Sequence, residues 1–151
     1  MTNTFVLTKC RILYPNIYAP RHFGDSTKYG VGFSTENRVV LKTLSEHSIR
    51  SRNGEGAIFN AQSNYPPLVT CKASDYRALS HAFKIAELRN MSRDRLFRNV
   101  EAEIVVSVFN YEYEHHVGTG LSLSEVVIDA QALKHAALNY TGSKEEEASD
   151  D

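Results

Sequence analysis

Residues 96–128 read LFRNVEAEIVVSVFNYEYEHHVGTGLSLSEVVI, and this stretch decides the fold. Between residues 100 and 113 every second side chain is aliphatic: Ala102, Ile104, Val106 and Val108. The opposite face of the same run ends in three rings: Phe109, Tyr111 and Tyr113. A period of two indicates a strand with one face in a core. Because the run is long for one strand, we expect a bend or bulge within it.

A second strand is predicted to follow after a turn. The predicted turn contains two histidines and two glycines: His115, His116, Gly118 and Gly120. The apolar pattern then returns with one skip, which indicates another bulge: Leu121, Leu123, Val126 and Ile128. We therefore expect two neighbouring strands of a small antiparallel barrel or sandwich, whose outer face ends in the three rings.

The rest of the chain predicts four more strands and three helices. Alternation predicts strands over 4–14, 28–34, 57–60 and 68–72, and helical spacing predicts helices over 35–50, 75–89 and 129–138. In the first strand one face, turned to the core, is predicted to carry Val6, Cys10, Ile12 and Tyr14, and on the other face Lys9 and Arg11 would point outward. Residues 15–27 contain two prolines and a glycine and are predicted to be a loop. The expected fold is mainly β, a barrel or sandwich with two or three accessory helices.

Composition narrows the class of protein further. The 151 residues predict one domain, residues 1–141, followed by a short tail, residues 142–151. No apolar run is long enough for a membrane span, and the first residues do not resemble a secretory signal. We therefore expect a cytoplasmic protein without a membrane partner. The two cysteines, Cys10 and Cys71, are expected to be reduced thiols rather than a disulfide or zinc ligands.

The charge is divided sharply along the chain, although the net charge is only −1. Residues 1–100 hold 15 Lys and Arg against 7 Asp and Glu, and residues 101–151 hold 2 against 11. Such a division indicates polyanion binding by the body and an acidic tail. The tail is predicted to be disordered, and five acids could bind partner proteins: Glu145, Glu146, Glu147, Asp150 and Asp151. The alternative is a terminus that only increases solubility.

Aromatic and basic side chains are interleaved in the predicted strands and loops. Proteins grip single-stranded nucleic acid by stacking bases on rings and by pairing phosphates with Lys and Arg. Twelve residues are the candidates for this role: Lys9, Arg11, Tyr14, Tyr18, Arg21, Phe23, Lys28, Tyr29, Lys72, Phe109, Tyr111 and Tyr113. The alternative for any aromatic residue among them is a place in the core, and for any Lys or Arg it is an exposed position that only keeps the surface hydrated.

Metal and catalytic chemistry find little support in the sequence. The side chains of His115 and His116 would diverge on a strand, and Glu101 and Glu103 share a face but lack an Asp-rich partner motif for a two-metal nuclease site. Phosphate-loop, serine-hydrolase and zinc-protease motifs are missing from the sequence. We therefore expect no enzyme activity, no catalytic residue, no metal and no cofactor.

Five segments resemble the Enc34-like bacteriophage single-stranded-DNA-binding proteins in order and spacing. They are ILYPNIYAP at 12–20, KYGVGF at 28–33, IFNAQSNYPPLV at 58–69, EAEIVVSVFNYEYE at 101–114 and GTGLSLSEVVI at 118–128. The family's pattern has aromatic and basic residues at four of the positions above: Tyr14, Lys28, Tyr29 and Tyr111. This chain departs from related replication proteins in that its acidic tail ends in Asp151 without an aromatic residue, and it has no Trp for stacking.

The resemblance implies an OB-fold barrel with added helices and an acidic C-terminal tail. It also implies sequence-independent binding of single-stranded DNA in phage replication, recombination or repair, inside the cytoplasm of the bacterial host. The tail would compete with DNA for the basic groove and recruit replication or recombination proteins. Three alternatives stay open: a protein–protein adaptor of the same fold, binding of single-stranded RNA, and a nuclease that uses the two glutamates. A homodimer is also left open.

Overall fold

A computed structural model of the chain describes residues 4–51 and 58–140. The side chains of Phe23 and Tyr113 also lie outside this description. The predicted disordered tail, residues 142–151, falls entirely outside the described residues.

The described residues form six strands and four α-helices. The strands are β1 (Thr4–Phe23), β2 (Ser26–Thr35), β3 (Phe59–Ser63), β4 (Leu68–Thr70), β5 (Glu101–Tyr113) and β6 (His116–Ile128). The helices are α1 (Arg38–Glu46), α2 (Tyr76–Leu88), α3 (Arg93–Leu96) and α4 (Ala130–Asn139). The prediction of two or three helices is wrong by one, because α3 is a single turn and is too short for helical spacing to reveal. None of these helices is long and apolar enough to span a membrane.

Five of the strands close into a ring. Strand β1 pairs antiparallel with β2 and β5, β2 pairs with β3, and β5 pairs with β6. A parallel pairing between β3 and β6 completes the ring, and β4 extends the sheet beside β6. The inside of the ring is the core, and its largest fully buried side chains include Phe33, Phe97, Leu7, Ile12 and Ile104. Helices α2 and α4 pack against each other.

Strand β1 is much longer than predicted, and the predicted loop at 15–27 is wrong. The strand continues to Phe23 and joins β2 through the two-residue turn Gly24–Asp25. Proline is tolerated in a strand where its missing N–H is not needed by a neighbour. Pro20 lies in an excursion, residues 17–20, which leaves the register with β2 between Asn16 and Arg21.

Bulges decide which side chains face the core. An extra residue in β1 between Leu7 and Cys10 shifts the register with β5, and Lys9 adopts a positive φ of 53° there. Leu7 is therefore buried and Val6 is 55% exposed, so the prediction that Val6 shares the core face is wrong. The bulge predicted after Leu123 is confirmed, since Leu123 pairs with Val106 and Glu125 with Val105, which leaves Ser124 as an extra residue in the register.

The turn between β5 and β6 is tighter than predicted. Glu114 and His115 form it, with φ of 48° and 70°, and Tyr113 pairs with His116 across it. Two successive positive φ values are the signature of the type I′ turn that suits the twist of a hairpin. The predicted turn at 115–120 is therefore wrong, because Gly118 and Gly120 are strand residues of β6. The pairing of β5 with β6 is confirmed.

The thiol of Cys10 is sealed inside the ring. The residue has no exposed surface, and its Sγ lies 3.5 Å from the carbonyl oxygen of Leu7. Burial, and then the negative charge of Glu101, raise the pKa of this thiol from its ordinary value of 9.0 to about 12. The folded protein therefore keeps Cys10 protonated at pH values where the unfolded chain would release the proton.

This difference predicts that alkaline pH destabilises the fold through Cys10. Above pH 9 the unfolded state binds fewer protons at this position than the folded state, so the free energy of unfolding falls as pH rises from 9 towards 12. Urea unfolding at pH 8 and pH 10.5 should show a larger loss for the natural chain than for Cys10→Ala. An equal loss in both proteins would show that other groups carry the alkaline sensitivity.

Candidate nucleic-acid interface

Small and polar residues form the outward surface of β2 and β3. Their neighbours Val31, Phe33 and Ala61 are buried in the core, so alternation turns the intervening positions outward. Four residues result from this alternation: Gly30, Gly32, Asn60 and Gln62. The two glycines pair with the two amides across the strands, in the registers Gly30–Gln62 and Gly32–Asn60. Both glycines are themselves buried, whereas Asn60 and Gln62 are exposed, so β2 and β3 present two amides and no large side chain on this side.

The ring of Tyr14 covers one edge of this surface. A Cβ atom built on Gly32 would lie 3.0 Å from Cδ2 of Tyr14 and 3.2 Å from Oδ1 of Asn60. A side chain at this position would push the ring or the amide away by a few tenths of an ångström, so glycine favours the close approach of the ring to the backbone of β2. Tyr14 is still 42% exposed, so one side of the ring packs on the strand and the rest is open to solvent.

The same surface continues across β6 to β5. Gln62 pairs with Ser122, and the outward positions that precede Ser122 in β6 are Gly120 and Gly118. Directly across from these glycines on β5 are Phe109 and Tyr111. The surface defined by Tyr14, Gly30, Gly32, Asn60, Gln62, Ser122, Gly120, Gly118, Phe109 and Tyr111 is called the outer face below.

Phe109 and Tyr111 lie over the glycines of the neighbouring strand. A Cβ atom on Gly120 would be 2.6 Å from Cζ of Phe109, and one on Gly118 would overlap the ring of Tyr111. The two ring centroids are 6.2 Å apart at an interplanar angle of 49°. The two residues are 46% and 49% exposed, so each ring keeps a free surface while its backbone side is supported.

The outer face therefore has aromatic rings at both ends and a low floor between them. Crossing from β1 to β5 through β2, β3 and β6 takes four strand spacings, about 19 Å around the outside of the ring, and the outer face is curved because β1 also pairs directly with β5. Bases stack on exposed rings regardless of sequence because every base has a π-face. The geometry fits an extended chain of planar groups better than a compact small molecule.

Basic side chains border the outer face near Tyr14. Arg21 and Lys28 face each other across the β1–β2 hairpin and line one groove together with Tyr14, Asn16 and Tyr29. The ammonium group of Lys28 donates a hydrogen bond to the side-chain oxygen of Asn64. Two cationic residues beside an exposed ring are the combination that binds the phosphates of a stacked strand.

Other predicted binding residues lie elsewhere. Lys9 and Arg11 are exposed in the first half of β1, and Nη1 of Arg11 donates to the carbonyl of Asn99 at 2.7 Å. Lys72 follows β4, which pairs with residues 125–127 of β6 rather than with residues 118–122. The structure therefore does not bring these three basic side chains onto the outer face.

Tyr18 is held by the helices instead of facing solvent. Its ring packs against Phe83 and Phe97, with centroid distances of 6.1 and 5.9 Å, and the guanidinium of Arg93 lies 5.4 Å from its centroid. Burial raises the pKa of the Tyr18 phenol above its ordinary value. Tyr29 is half-buried at the edge of the outer face. The predictions for Phe23 and Tyr113 concern side chains that lie outside the described part of the chain.

Sequence patterns alone did not predict the polar side chains of the outer face and its border. Asn16, Asn60, Gln62 and Ser122 were not predicted to belong to the site, because single amides and hydroxyls carry no distinctive pattern. The available signal was the repetition of Gly-x-Gly, once at 30–32 and once at 118–120. Three of these glycines, Gly32, Gly118 and Gly120, accommodate a ring from the adjacent strand, which is a known way of covering strand glycines, whereas a Cβ atom on Gly30 would lie 2.3 Å from the backbone oxygen of Ala61.

The described residues offer no cluster for metal chemistry. Among residues 4–51 and 58–140, no three His, Cys, Asp or Glu side chains are grouped so that they could hold a metal ion. Glu101 and Glu103 are both exposed on β5, and His115 and His116 lie at the hairpin turn.

Comparisons with known proteins give a result at the level of structure only. No protein-family model matches the chain, and no curated protein matches it. Among solved structures, the chain is similar to a C-terminal truncation of the single-stranded DNA-binding protein from bacteriophage Enc34, with a TM-score of 0.58 and 11% identity over 83% of this chain and 84% of that one. The same phage protein in complex with single-stranded DNA gives a TM-score of 0.58 and 11% identity, over 83% and 85%.

At this level of identity the similarity concerns the fold. The described chain shares the architecture of phage proteins that are described as binding single-stranded DNA. The phage protein with the similar structure belongs to the group that the five sequence segments resemble.

Proposed function

We propose that this chain is a sequence-independent single-stranded-DNA-binding protein of a bacteriophage. The observation that carries the proposal is the outer face, where half-exposed rings packed on strand glycines stand on either side of small and polar residues. A solved structure of the similar phage protein is in complex with single-stranded DNA, which supports the choice of ligand. Bases would stack on Tyr14, Phe109 and Tyr111, while Arg21 and Lys28 would pair with phosphates.

We further propose that the ring of strands is an OB-fold barrel. An OB-fold is a five-stranded barrel that binds oligonucleotides on strands 2 and 3 and with the loops joining strands 1–2 and 4–5. Here the ring also has five strands, and the outer face includes β2 and β3. The hairpins β1–β2 and β5–β6 join the first and second and the fourth and fifth strands of the ring.

A titration of labelled oligonucleotides tests the proposed ligand. Fluorescence anisotropy with oligo-dT, mixed-sequence single-stranded DNA, oligo-U and duplex DNA, each at two salt concentrations, separates the alternatives. We expect tight, salt-sensitive binding of both single-stranded DNAs with similar affinities. Preference for oligo-U would indicate an RNA-binding protein, and failure to bind any nucleic acid would favour the adaptor of the same fold.

The basic side chains beside Tyr14 should contribute to DNA binding through their charge. Each phosphate neutralised on a single strand contributes about 0.7 to the slope of log K against log salt. We expect Lys28→Ala and Arg21→Ala each to flatten this slope by roughly that amount and to weaken binding to all sequences equally. The matched control is Lys42→Ala on α1, which removes an exposed lysine away from the outer face and should leave the slope unchanged.

We propose that the protein binds without turnover. Labelled single strands incubated with Mg²⁺ or Mn²⁺ should therefore stay intact. Cleavage that disappears in a Glu101→Gln, Glu103→Gln double variant would instead establish the nuclease alternative, since a two-metal site needs such carboxylates.

The proposed setting is replication, recombination or repair of phage DNA in the cytoplasm of the bacterial host. The support is the phage origin of the similar structures. We expect deletion of the coding sequence from the phage to impair synthesis or repair of its DNA. Normal genome synthesis, recombination and repair in the deletion phage would contradict this role.

A further inference from the structure

A second groove lies between α3 and α4, and it shares no lining residue with the outer face. Its rim carries two arginines and two asparagines, and its floor is apolar: Arg95, Arg98, Asn99 and Asn139 above Met91 and Leu96. Of the described residues that line it, none is acidic. Arginine is the side chain best suited to bind carboxylates, because its planar fork donates two parallel hydrogen bonds.

The last described residue, Tyr140, is fixed in this groove. Nη1 of Arg89 donates to the carbonyl oxygens of Leu138 and Tyr140, at 2.7 and 3.0 Å. The guanidinium of Arg95 lies 5.4 Å from the centroid of the Tyr140 ring. The chain beyond Tyr140 therefore starts at the groove itself, from a position held by two arginines.

We propose that the groove binds the chain's own acidic tail, through Glu145, Glu146 and Glu147. Residues 141–151 contain five acids and one lysine, so the segment that begins in the arginine groove carries a net charge of −4. Glu145 is five residues beyond Tyr140, which allows a reach of at most about 17 Å. For a flexible chain the same five residues span roughly 11–13 Å.

Tethering favours this groove over the outer face. A ligand on a short flexible leash has an effective concentration in the millimolar range near its anchor, and this concentration falls as the required span grows. The arginine groove surrounds the anchor, so weak carboxylate–guanidinium contacts suffice there. The binding is electrostatic and fades as the Debye length falls from about 10 Å at 0.1 M salt to about 3 Å at 1 M. The proposal does not depend on what the outer face binds.

A spin label on the tail locates it in the full-length protein. Cys10 and Cys71 are both buried, so Ser149→Cys provides a thiol that is labelled selectively. At 50 mM salt we expect the label to broaden amide signals around Arg95, Arg98 and Asn99, with loss of this broadening at 1 M salt. Broadening centred on Tyr14 and Gly32 would overturn the proposal in favour of direct competition on the outer face, and uniform weak broadening would overturn it in favour of a free tail.

Two variants that replace charged side chains by glutamine distinguish a loss of electrostatic binding from a disturbance of the fold. Arg95→Gln, Arg98→Gln should lose the broadening, but these residues also belong to the folded body. Glu145→Gln, Glu146→Gln, Glu147→Gln changes only the tail, and it should cause the same loss with an unchanged spectrum elsewhere. The control Lys9→Gln, Lys72→Gln removes two exposed charges from other sites and should keep the broadening. Broadening that persists in the tail variant would overturn the proposal.

Discussion

Removing the rings of Phe109 and Tyr111 together should weaken binding to oligo-dT by about 2–6 kcal/mol, because stacking contributes about 1–3 kcal/mol per base. This corresponds to a loss of affinity of roughly 30-fold to 10⁴-fold at 25 °C. The single variants should each lose less, and their sum need not equal the loss in the double variant, since the ring centroids are only 6.2 Å apart.

The position of the rings should matter as much as their presence. Gly120→Val keeps Phe109 but places a branched side chain where a Cβ alone would lie 2.6 Å from the ring. We expect this variant to lose about as much affinity as Phe109→Ala. Tyr76→Ala is the matched control, because it removes a tyrosine that is 55% exposed on α2. Unchanged affinity in a folded Phe109→Ala, Tyr111→Ala protein would show that this hairpin is not on the path of the DNA.

Local patterns predicted the strands better than they predicted the faces. Alternation correctly identified β5 and β6, because each has one side in the core of the ring. It failed in β1, where the bulge at Lys9 uses a non-glycine residue with a positive φ that no sequence pattern announces. The extra residue reverses the alternation between the two sides of the bulge, so Val6 and Leu7, which precede it, lie on the opposite faces from those that counting back from Cys10 predicts.

The sequence predicted the types of residue in the candidate site, but it did not predict which of them the fold brings together. Tyr14, Tyr111 and Lys28 were chosen as aromatic and basic candidates, and the structure places all three on or beside the outer face. What joins them is the parallel pairing of β3 with β6, which brings Gln62 beside Ser122 from sixty residues away. Closure of the ring is a property of the whole sheet, and no sequence pattern within either strand predicts it.

The excursion in β1 depends on one carboxylate that the sequence did not single out. Oδ1 of Asp94 accepts hydrogen bonds from the backbone N–H groups of Ile17 and Tyr18, at 2.6 and 3.0 Å, and Oδ2 accepts one from Ala19 at 2.9 Å. Pro20 has no N–H, so Asp94 accepts from every backbone donor of the excursion. The contact joins α3 to β1 across more than seventy residues of chain.

Asp94→Ala should therefore lower the free energy of unfolding by roughly 2–4 kcal/mol. A hydrogen bond to a charged group contributes about 1.5–3 kcal/mol, but the three bonds share one side chain and are not additive. Ile17 is 1% exposed, so its N–H could not bond to water without local opening, whereas Ala19 is exposed. Asp94→Asn should lose less, because its amide oxygen still accepts from the backbone. Urea unfolding measures the change, with Glu103→Ala as the control for an exposed carboxylate, expected within about 0.5 kcal/mol of the natural chain. A loss in Asp94→Ala no larger than in Glu103→Ala would mean that the excursion is held by the packing of Tyr18 against Phe83 and Phe97 and not by the carboxylate.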